Sequence, residues 1–305
     1  MTTESAFLPR AGLLLISTLF LGSLSPLAFA AAPGRVINHG GPVLHGNINL
    51  GIVWYGPFGR VHKSTIGSFI KSLNFRSRGA HLEPQVSTWW NVVESYQSSA
   101  RSSPPIHVQV VRQVTDQSFS VGKVLTKDFF LPLIQQATGG DPNVIPVIFA
   151  HRDVTVMGLC TGMCYNHGVI GTQPYIVVGD PTTECPGACA WPFYRSDYGP
   201  EGVILQPPNG NVAADSMVVN FASALAATVT NPFGTGYFYG FPMKATEATM
   251  ACPNMFGKGA FPGYTGRVRV DPKDGGGFNV RGFRGRRFLL PAIWNPRTAS
   301  CWTPL

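Results

Sequence analysis

The chain has 305 residues and a formal net charge of +8, with 44% apolar and only 12% charged side chains. Those proportions exclude a disordered polyelectrolyte, and the length fits one large domain with a sizeable core.

At the N-terminus, Arg10 precedes the apolar run AGLLLISTLFLGSLSPLAFA, which closes on Ala28-Phe29-Ala30 with small outer residues. Pro26 interrupts the run, and it is short for a hydrocarbon layer of ~30 Å, so it reads as a signal peptide over residues 1–30 rather than as an anchor. Cleavage removes Glu4 and Arg10 together, one charge of each sign, and leaves +8. No second stretch of about 18 apolar residues is expected after it, so residues 31–305 are expected to form one soluble exported domain without membrane contact.

Taken in chain order, GNINLGIVWYG (46–56) reads as a strand, alternating at first, then wholly apolar. HKSTIGSFIKSLN puts Ile66, Phe69, Ile70 and Leu73 on one helical face. VSTWWNVVESY does the same with Trp89, Val92, Val93 and Tyr96, with Ser87 as its cap. IHVQVVRQV returns to strand, and TKDFFLPLIQQAT is helical with Pro132 near its first turn. NVIPVIFA and PYIVVGD are short strands with β-branched centres. AADSMVVNFASALAATV is the longest helix, with Val218, Phe221, Leu225 and Val229 on one face. GRVRV, FNV and RFLLP suggest a closing antiparallel set around the turn DPKDGGG. No clean βαβ rhythm emerges, which favours a single mixed α+β domain over a doubly wound sheet. Long Pro- and Gly-rich loops at 152–172, 181–212 and 231–264 need stapling or a function.

Cysteine usage supplies the staples. Cys160, Cys164, Cys185, Cys189, Cys252 and Cys301 all follow the leader, and an even count in an exported chain points to disulfides. Cys160/Cys164 and Cys185/Cys189 either close locally or cross-link to each other, with Cys252 and Cys301 left to tie the C-terminus down. CTGMCYNHG with CPGAC also offers four sulfurs and His167 near zinc-site spacing, but an oxidising compartment favours the bridges.

NHGGPVLHGNINLGIVWYG, DVTVMGLCTGMCYNHG, CPGACAWPFY, PPNGNV, ATVTNPFGTGYFYG, ACPNMFGKGAFPGYTG and GRRFLLPAIWNP, in this order, resemble the plant EXORDIUM family, also called phosphate-induced proteins. The resemblance spans about residues 35–305. It implies an exported protein of the apoplast or cell wall, linked to growth and cell expansion, and it transfers no catalytic residue. The arginine-rich FNVRGFRGRRF departs from that pattern.

SALAATVTNPFGTGYF (223–238) reads two ways. It resembles the exit of a zinc-peptidase helix, with Ser223 and Ala227 at the ligand positions and Ala224 at the base position, that is, a degenerate zincin-like scaffold. It also reads as a small-residue core helix stopped by Pro232. Neither version holds zinc, so no metal and no cofactor are expected.

Other catalytic constellations are thin. There is no G-x-S-x-G elbow, His39 and His45 merely flank GGPVL, and His151 with Asp153 in HRD lacks other kinase marks. Glu184, Asp197 and Glu201 are conceivable paired carboxylates for glycoside chemistry. The glycine-rich turns match no phosphate loop. Arg267, Arg269, Arg281, Arg284, Arg286 and Arg287 form the densest charge cluster, and the last four are the candidate polyanion contacts. In a plant wall the matching partner is an acidic polysaccharide such as pectin; a cell-surface receptor is a second partner class, and nucleic acid is not expected. WWNVVESY, CAWPFY, GYFYGF and PAIW supply either core or a sugar-stacking platform. The expectation is a non-enzymatic wall protein that acts by binding, with an extracellular hydrolase of wall polysaccharide or peptide as the alternative.

Overall fold

The computed structural model describes residues 35–79, 83–97, 104–197, 204–240, 246–261 and 263–305. The signal peptide read over residues 1–30 and the carboxylate of Glu201 lie outside them. In chain order the elements begin with β1 (Val36–Asn38), β2 (Asn47–Tyr55), α1 (Arg60–Leu73), α2 (Val86–Glu94) and β3 (His107–Asp116). β4 (Val124–Leu125), α3 (Phe130–Thr138), β5 (Val144–Ala150), β6 (Thr155–Val156), β7 (Asn166–Ile170) and β8 (Gln173–Gly179) follow. After α4 (Pro186–Cys189) and α5 (Val212–Thr230) come β9 (Tyr237–Tyr239) and β10 (Thr246–Glu247). Short strands close the chain: β11 (Arg269–Val270), β12 (Gly277–Phe278), β13 (Val280–Arg281), β14 (Arg287–Phe288), β15 (Ile293–Asn295) and β16 (Ser300–Trp302).

The fold is a mixture of helix and sheet, as the sequence implies. Its centre is a five-stranded sheet in the order β3-β2-β5-β8-β7. β3, β2, β5 and β8 run parallel, and only β7 is antiparallel. A βαβ rhythm is therefore present at the centre, where the long loops of the sequence obscure it. Parallel strands are buried on both faces, and alternate residues here serve two cores. Leu50, Ile52 and Trp54 of β2 join Val147 and Phe149 of β5 and Ile176 and Val178 of β8 in the larger cluster, which α1, α2 and α5 cover. Val53, Tyr55, Ile148, Ala150 and Val177 point the other way, into the cluster covered by Phe130, Leu133 and Ala137 of α3. Gly51 makes the second contact possible: a Cβ there would lie 2.2 Å from the Ala137 carbonyl oxygen.

Local signals explain the helices. α1 buries Ile66, Phe69, Ile70 and Leu73, the face its spacing predicts. α3 carries Pro132 in its first turn and ends on Gly139 in the left-handed conformation, a position suited to glycine. α2 starts two residues earlier than expected: its N-cap position is Gln85, which makes no side-chain capping bond, and Ser87 is a buried residue inside the helix. The capping side chain of Asn211 accepts the Ala214 N–H and starts α5. Contrary to the expectation that no second long apolar stretch follows the leader, α5 is apolar enough along its 19 residues to pass for a membrane span. It is instead a central helix buried nearly all round.

The bridges are Cys160–Cys185, Cys164–Cys189 and Cys252–Cys301. Thus the two tight pairs cross-link to each other over sequence separations of 25, and neither closes locally. By chain entropy each such loop contributes ~3.5 kcal/mol, and the Cys252–Cys301 loop ~4 kcal/mol. The C-terminus is tied down further, since Tyr96 donates to the Trp294 carbonyl at 2.6 Å and Trp89 to that of Pro291 at 2.7 Å.

A cationic groove beside a carboxyl-edge crevice

α1 exposes the face opposite its apolar stripe. Lys63, Ser64, Gly67, Ser68 and Lys71 follow one another there at helical spacing. β3 is one of the two edge strands of the central sheet, and it presents Gln109 and Gln113 toward the same space. The turn from Phe283 to Arg287 closes the other side. Together they form an open groove of about 1140 Å³. Five cations line it, Lys63, Lys71, Arg284, Arg286 and Arg287, and among the described residues no carboxylate does.

The cations differ in availability. Lys63 Nζ donates to Thr115 Oγ1 at 2.8 Å and lies 5.7 Å from the Trp54 ring, with burial lowering its pKa. Lys71 is exposed. Arg284 is also exposed, beside the Phe283 ring and in the left-handed region at φ 56°. Arg286 is built into the wall: Nε donates to Asn209 Oδ1 at 2.7 Å, and its terminal nitrogens donate to Ser64 Oγ and Thr65 Oγ1 of α1. Burial lowers the Arg286 pKa, while Asp215 acts to raise it. Arg287 is spent on Asp271 at 2.7 Å and Asp274 at 2.5 Å. That pairing holds the Asp274 carboxyl down at about 2, mainly through the Arg287 hydrogen bond.

Of the four arginines singled out in the sequence, Arg284, Arg286 and Arg287 thus meet at the groove. Arg281 does not; its guanidinium lies 4.7 Å from the Phe278 ring and points back to the Gly285 carbonyl. Arg267 and Arg269 are not among the lining residues either. Lys63 and Lys71 were missed, although their spacing on one helix face opposite Ile66, Phe69 and Ile70 carried the signal.

A second polar site sits at the carboxyl ends of the central strands. β3 lies on one side of β2 and β5 on the other, so the chain reverses direction across the sheet between β2 and β5. Open α/β sheets bind ligands at such a reversal. Gly56 follows β2 with φ 113°, and a Cβ there would lie 2.4 Å from His151 Cβ, so glycine lets the two strand ends meet. Phe58 sets its ring edge-on to both His62 and His151, each 5.5 Å away. Asp180, just past β8, has a side chain only 1% exposed. Its Oδ1 accepts the Thr182 N–H and hydroxyl. Its Oδ2 has no hydrogen-bond partner and faces His62 Nε2 and Arg152 Nε, each at 3.9 Å. Desolvation lowers the His62 pKa against the opposing pull of Asp180, with smaller lowering effects from Arg152 and His151. His62 Nε2, itself without a hydrogen-bond partner, is thus aimed at a buried carboxyl group, in a setting that disfavours the charged imidazolium. His151 Nδ1 lies 3.4 Å from Asp153 Oδ2.

The remaining sequence candidates fall elsewhere. The zincin-like reading of α5 is corrected. Ala224 and Ala227 are 0% exposed, packed in the main core, and Ser223 Oγ donates back to the Val219 carbonyl. The small residues serve close helix–sheet contact. Asn231, at the end of this helix, gives the TNPFG stretch its purpose: Oδ1 accepts the Gly236 N–H at 2.7 Å and Nδ2 donates to Glu247 at 2.7 Å. Glu247 in turn holds His167 Nε2 at 2.8 Å, so that histidine is a hydrogen-bond partner of Glu247, and the nearby sulfurs are oxidised. Among the described residues no group of three or more His, Cys, Asp or Glu is placed to hold a metal ion. Glu184 bonds to the Thr155 hydroxyl, and Asp197 packs against Gly187. Trp89, Trp90, Tyr96 and Trp294 are buried, so WWNVVESY and PAIW are core rather than a sugar platform.

Residues 36–304 match the family model for the phosphate-induced protein 1 conserved region. Protein EXORDIUM of Arabidopsis thaliana is 42% identical over 277 residues, 87% of this chain and 88% of that protein. Protein EXORDIUM-like 2 of the same plant is 40% identical over 87% of this chain and 88% of its own length. Protein PHOSPHATE-INDUCED 1 of Nicotiana tabacum is 38% identical over 87% of each. No solved structure matches the chain. The chain therefore belongs to the EXORDIUM-like, phosphate-induced protein family of plants.

Proposed function

We propose that the protein is a secreted, growth-associated protein of the cell wall that acts by binding an acidic wall polysaccharide in the groove between α1, β3 and the Phe283–Arg287 turn. One observation carries this reading. The groove is lined by five cations and amide side chains, with no carboxylate or histidine among the described lining residues. Such a surface attracts a polyanion, and it lacks the proton-transfer groups that hydrolysis at this place would need. Arginine and lysine suit uronate carboxylates, and the open shape admits a chain rather than a small molecule. Three disulfides and the family membership fit an extracellular setting. Equilibrium binding to polygalacturonate at rising salt tests the proposal. Affinity should fall steeply as salt rises, and a Lys63→Ala, Lys71→Ala, Arg284→Ala triple variant should lose most of it. Salt-independent retention, or an unaffected triple variant, would sink it.

A second reading is favoured by the His62–Asp180 pair. A histidine facing a buried carboxyl group at the sheet reversal, with burial disfavouring its charged form, is the kind of pair a hydrolase uses as an oriented base. A screen of wall glycans and peptides, comparing the wild type with His62→Ala, separates the two: turnover lost in the variant supports the enzyme, and no turnover in either supports the binder.

A further inference from the structure

We propose that Asp215 tunes the groove, so that its grip on a polyanion strengthens as the solution turns acid. This rests on the groove reading above and adds regulation to it. Asp215 stands in the first turn of α5 and is 2% exposed. Its Oδ2 accepts the Asn209 N–H at 2.9 Å, and its Oδ1 accepts Asn209 Nδ2 at 2.6 Å. The same Asn209 offers its Oδ1 to Arg286 Nε at 2.7 Å. Arg286 then reaches Ser64 and Thr65 in the groove wall. A single asparagine therefore joins a buried carboxylate to a groove-lining guanidinium.

The charged group bearing on Asp215 is Arg286, from the turn before β14. The loop before α5 contributes Asn209 and Asn211, both neutral, and α1 gives Arg286 only the neutral Ser64 and Thr65. Arg287 lends Asn209 its carbonyl, while its charge is taken by Asp271 and Asp274. Burial is the main cause that raises the Asp215 carboxyl, to about 6. Above that pH the carboxylate offsets Arg286. Below it the charge is gone, and the new O–H competes with the two Asn209 donors, so one of those bonds is given up. Arg286 is left with less compensation and a looser tether, facing the groove. By linkage a bound polyanion must, in return, favour the protonated Asp215.

The test uses dextran sulfate, whose charge does not titrate in this range, and compares pH 5.0 with pH 7.5 at fixed ionic strength. Removing one opposing charge near the groove should tighten wild-type binding about three- to tenfold at the lower pH. Asp215→Asn should bind almost equally at both. His62 remains in that variant, so any contribution from its protonation stays visible. A pH effect in Asp215→Asn as large as in the wild type overturns the inference, and so does salt-sensitive wild-type binding that pH leaves unchanged. No binding at either pH overturns the groove reading itself and takes the inference with it. Carbon-13 carboxyl titration of the wild type covers the case of a variant that does not fold. A midpoint near pH 6 that dextran sulfate raises is expected; an Asp215 ionised down to pH 4, or one indifferent to the polymer, overturns the proposal.

Discussion

Asn209 hands a hydrogen bond from Arg286 Nε, received at 2.7 Å, on to Asp215, reached at 2.6 Å by its amide nitrogen. Because α1 supplies the other acceptors of Arg286, this contact locks the first turn of α5, the Phe283–Arg287 turn and α1 into one unit.

That unit makes stability depend on pH. Asp215 has a folded-state pKa raised above its ordinary value of 3.8, to about 6. Its contribution to stability is fully present below about pH 4 and is lost as pH rises through 6, an effect of ~3 kcal/mol. His62 acts in the opposite sense: its lowered pKa gives stability that is present above pH 6.5 and lost on acidification. Denaturant unfolding of the wild type against Asp215→Asn isolates the first effect. The difference should shrink or reverse between pH 4 and pH 7, and a constant difference across that range would refute it.

Charge reversal at Lys71 should weaken polyanion binding without touching the fold. Lys71 is exposed at the end of α1 and lines the groove. Lys71→Glu should cost about 1 kcal/mol of binding at low salt, roughly fivefold, and far less at 0.5 M salt. Its unfolding midpoint should match the wild type within a few tenths of a kcal/mol. Titration calorimetry at two salt concentrations reads the first claim, and a thermal melt the second.

The Cys252–Cys301 bridge closes the longest covalent loop, with a sequence separation of 49. A Cys252→Ser, Cys301→Ser double variant should lose ~4 kcal/mol. The loss should appear as a lowered denaturation midpoint; the Phe283–Arg287 turn of the groove lies inside that loop, and its own bonds to Ser64, Thr65 and Ser72 of α1 should keep it in place while the protein is folded. Unchanged stability would mean that Trp294 and β16 hold the C-terminus without the bond.

Core packing around α5 should tolerate no enlargement. Ala227→Leu adds three carbons at a residue that is 0% exposed and should cost ~1–3 kcal/mol. Introducing Glu at the same position buries a charge without a partner and should cost more. Soluble, zinc-binding protein carrying His, Glu and Glu at Ser223, Ala224 and Ala227 would restore the zincin-like reading that the packing denies.

Much of the fold was legible because period decides it. The apolar run of β2, the face shared by Ile66, Phe69, Ile70 and Leu73, and the all-apolar β5 each announce their burial in one stretch of sequence. The parallel order of the sheet was not legible, because β5 to β8 pass through a disulfide-bearing loop instead of a helix. Ser87 looked like a cap only because cap chemistry is local, whereas tertiary burial had claimed it. At the groove, half the signal was visible: Arg284, Arg286 and Arg287 are neighbours in sequence, but Lys63 and Lys71 join them only through packing more than 200 residues apart. The His62–Asp180 pair gave no signal at all, since each residue follows a different strand and only sheet order brings them together.

Cys160–Cys185 and Cys164–Cys189 both arch over the hairpin of β7 and β8, whose turn is at Gly171 and Thr172. A peptidase that severs the backbone at that tip releases nothing, since the fragments stay yoked through sulfur on either flank. Such a nicked molecule migrates as one species in a non-reducing gel and falls into two when thiol is added, so the outermost edge of the sheet can be cut while the molecule remains in one piece.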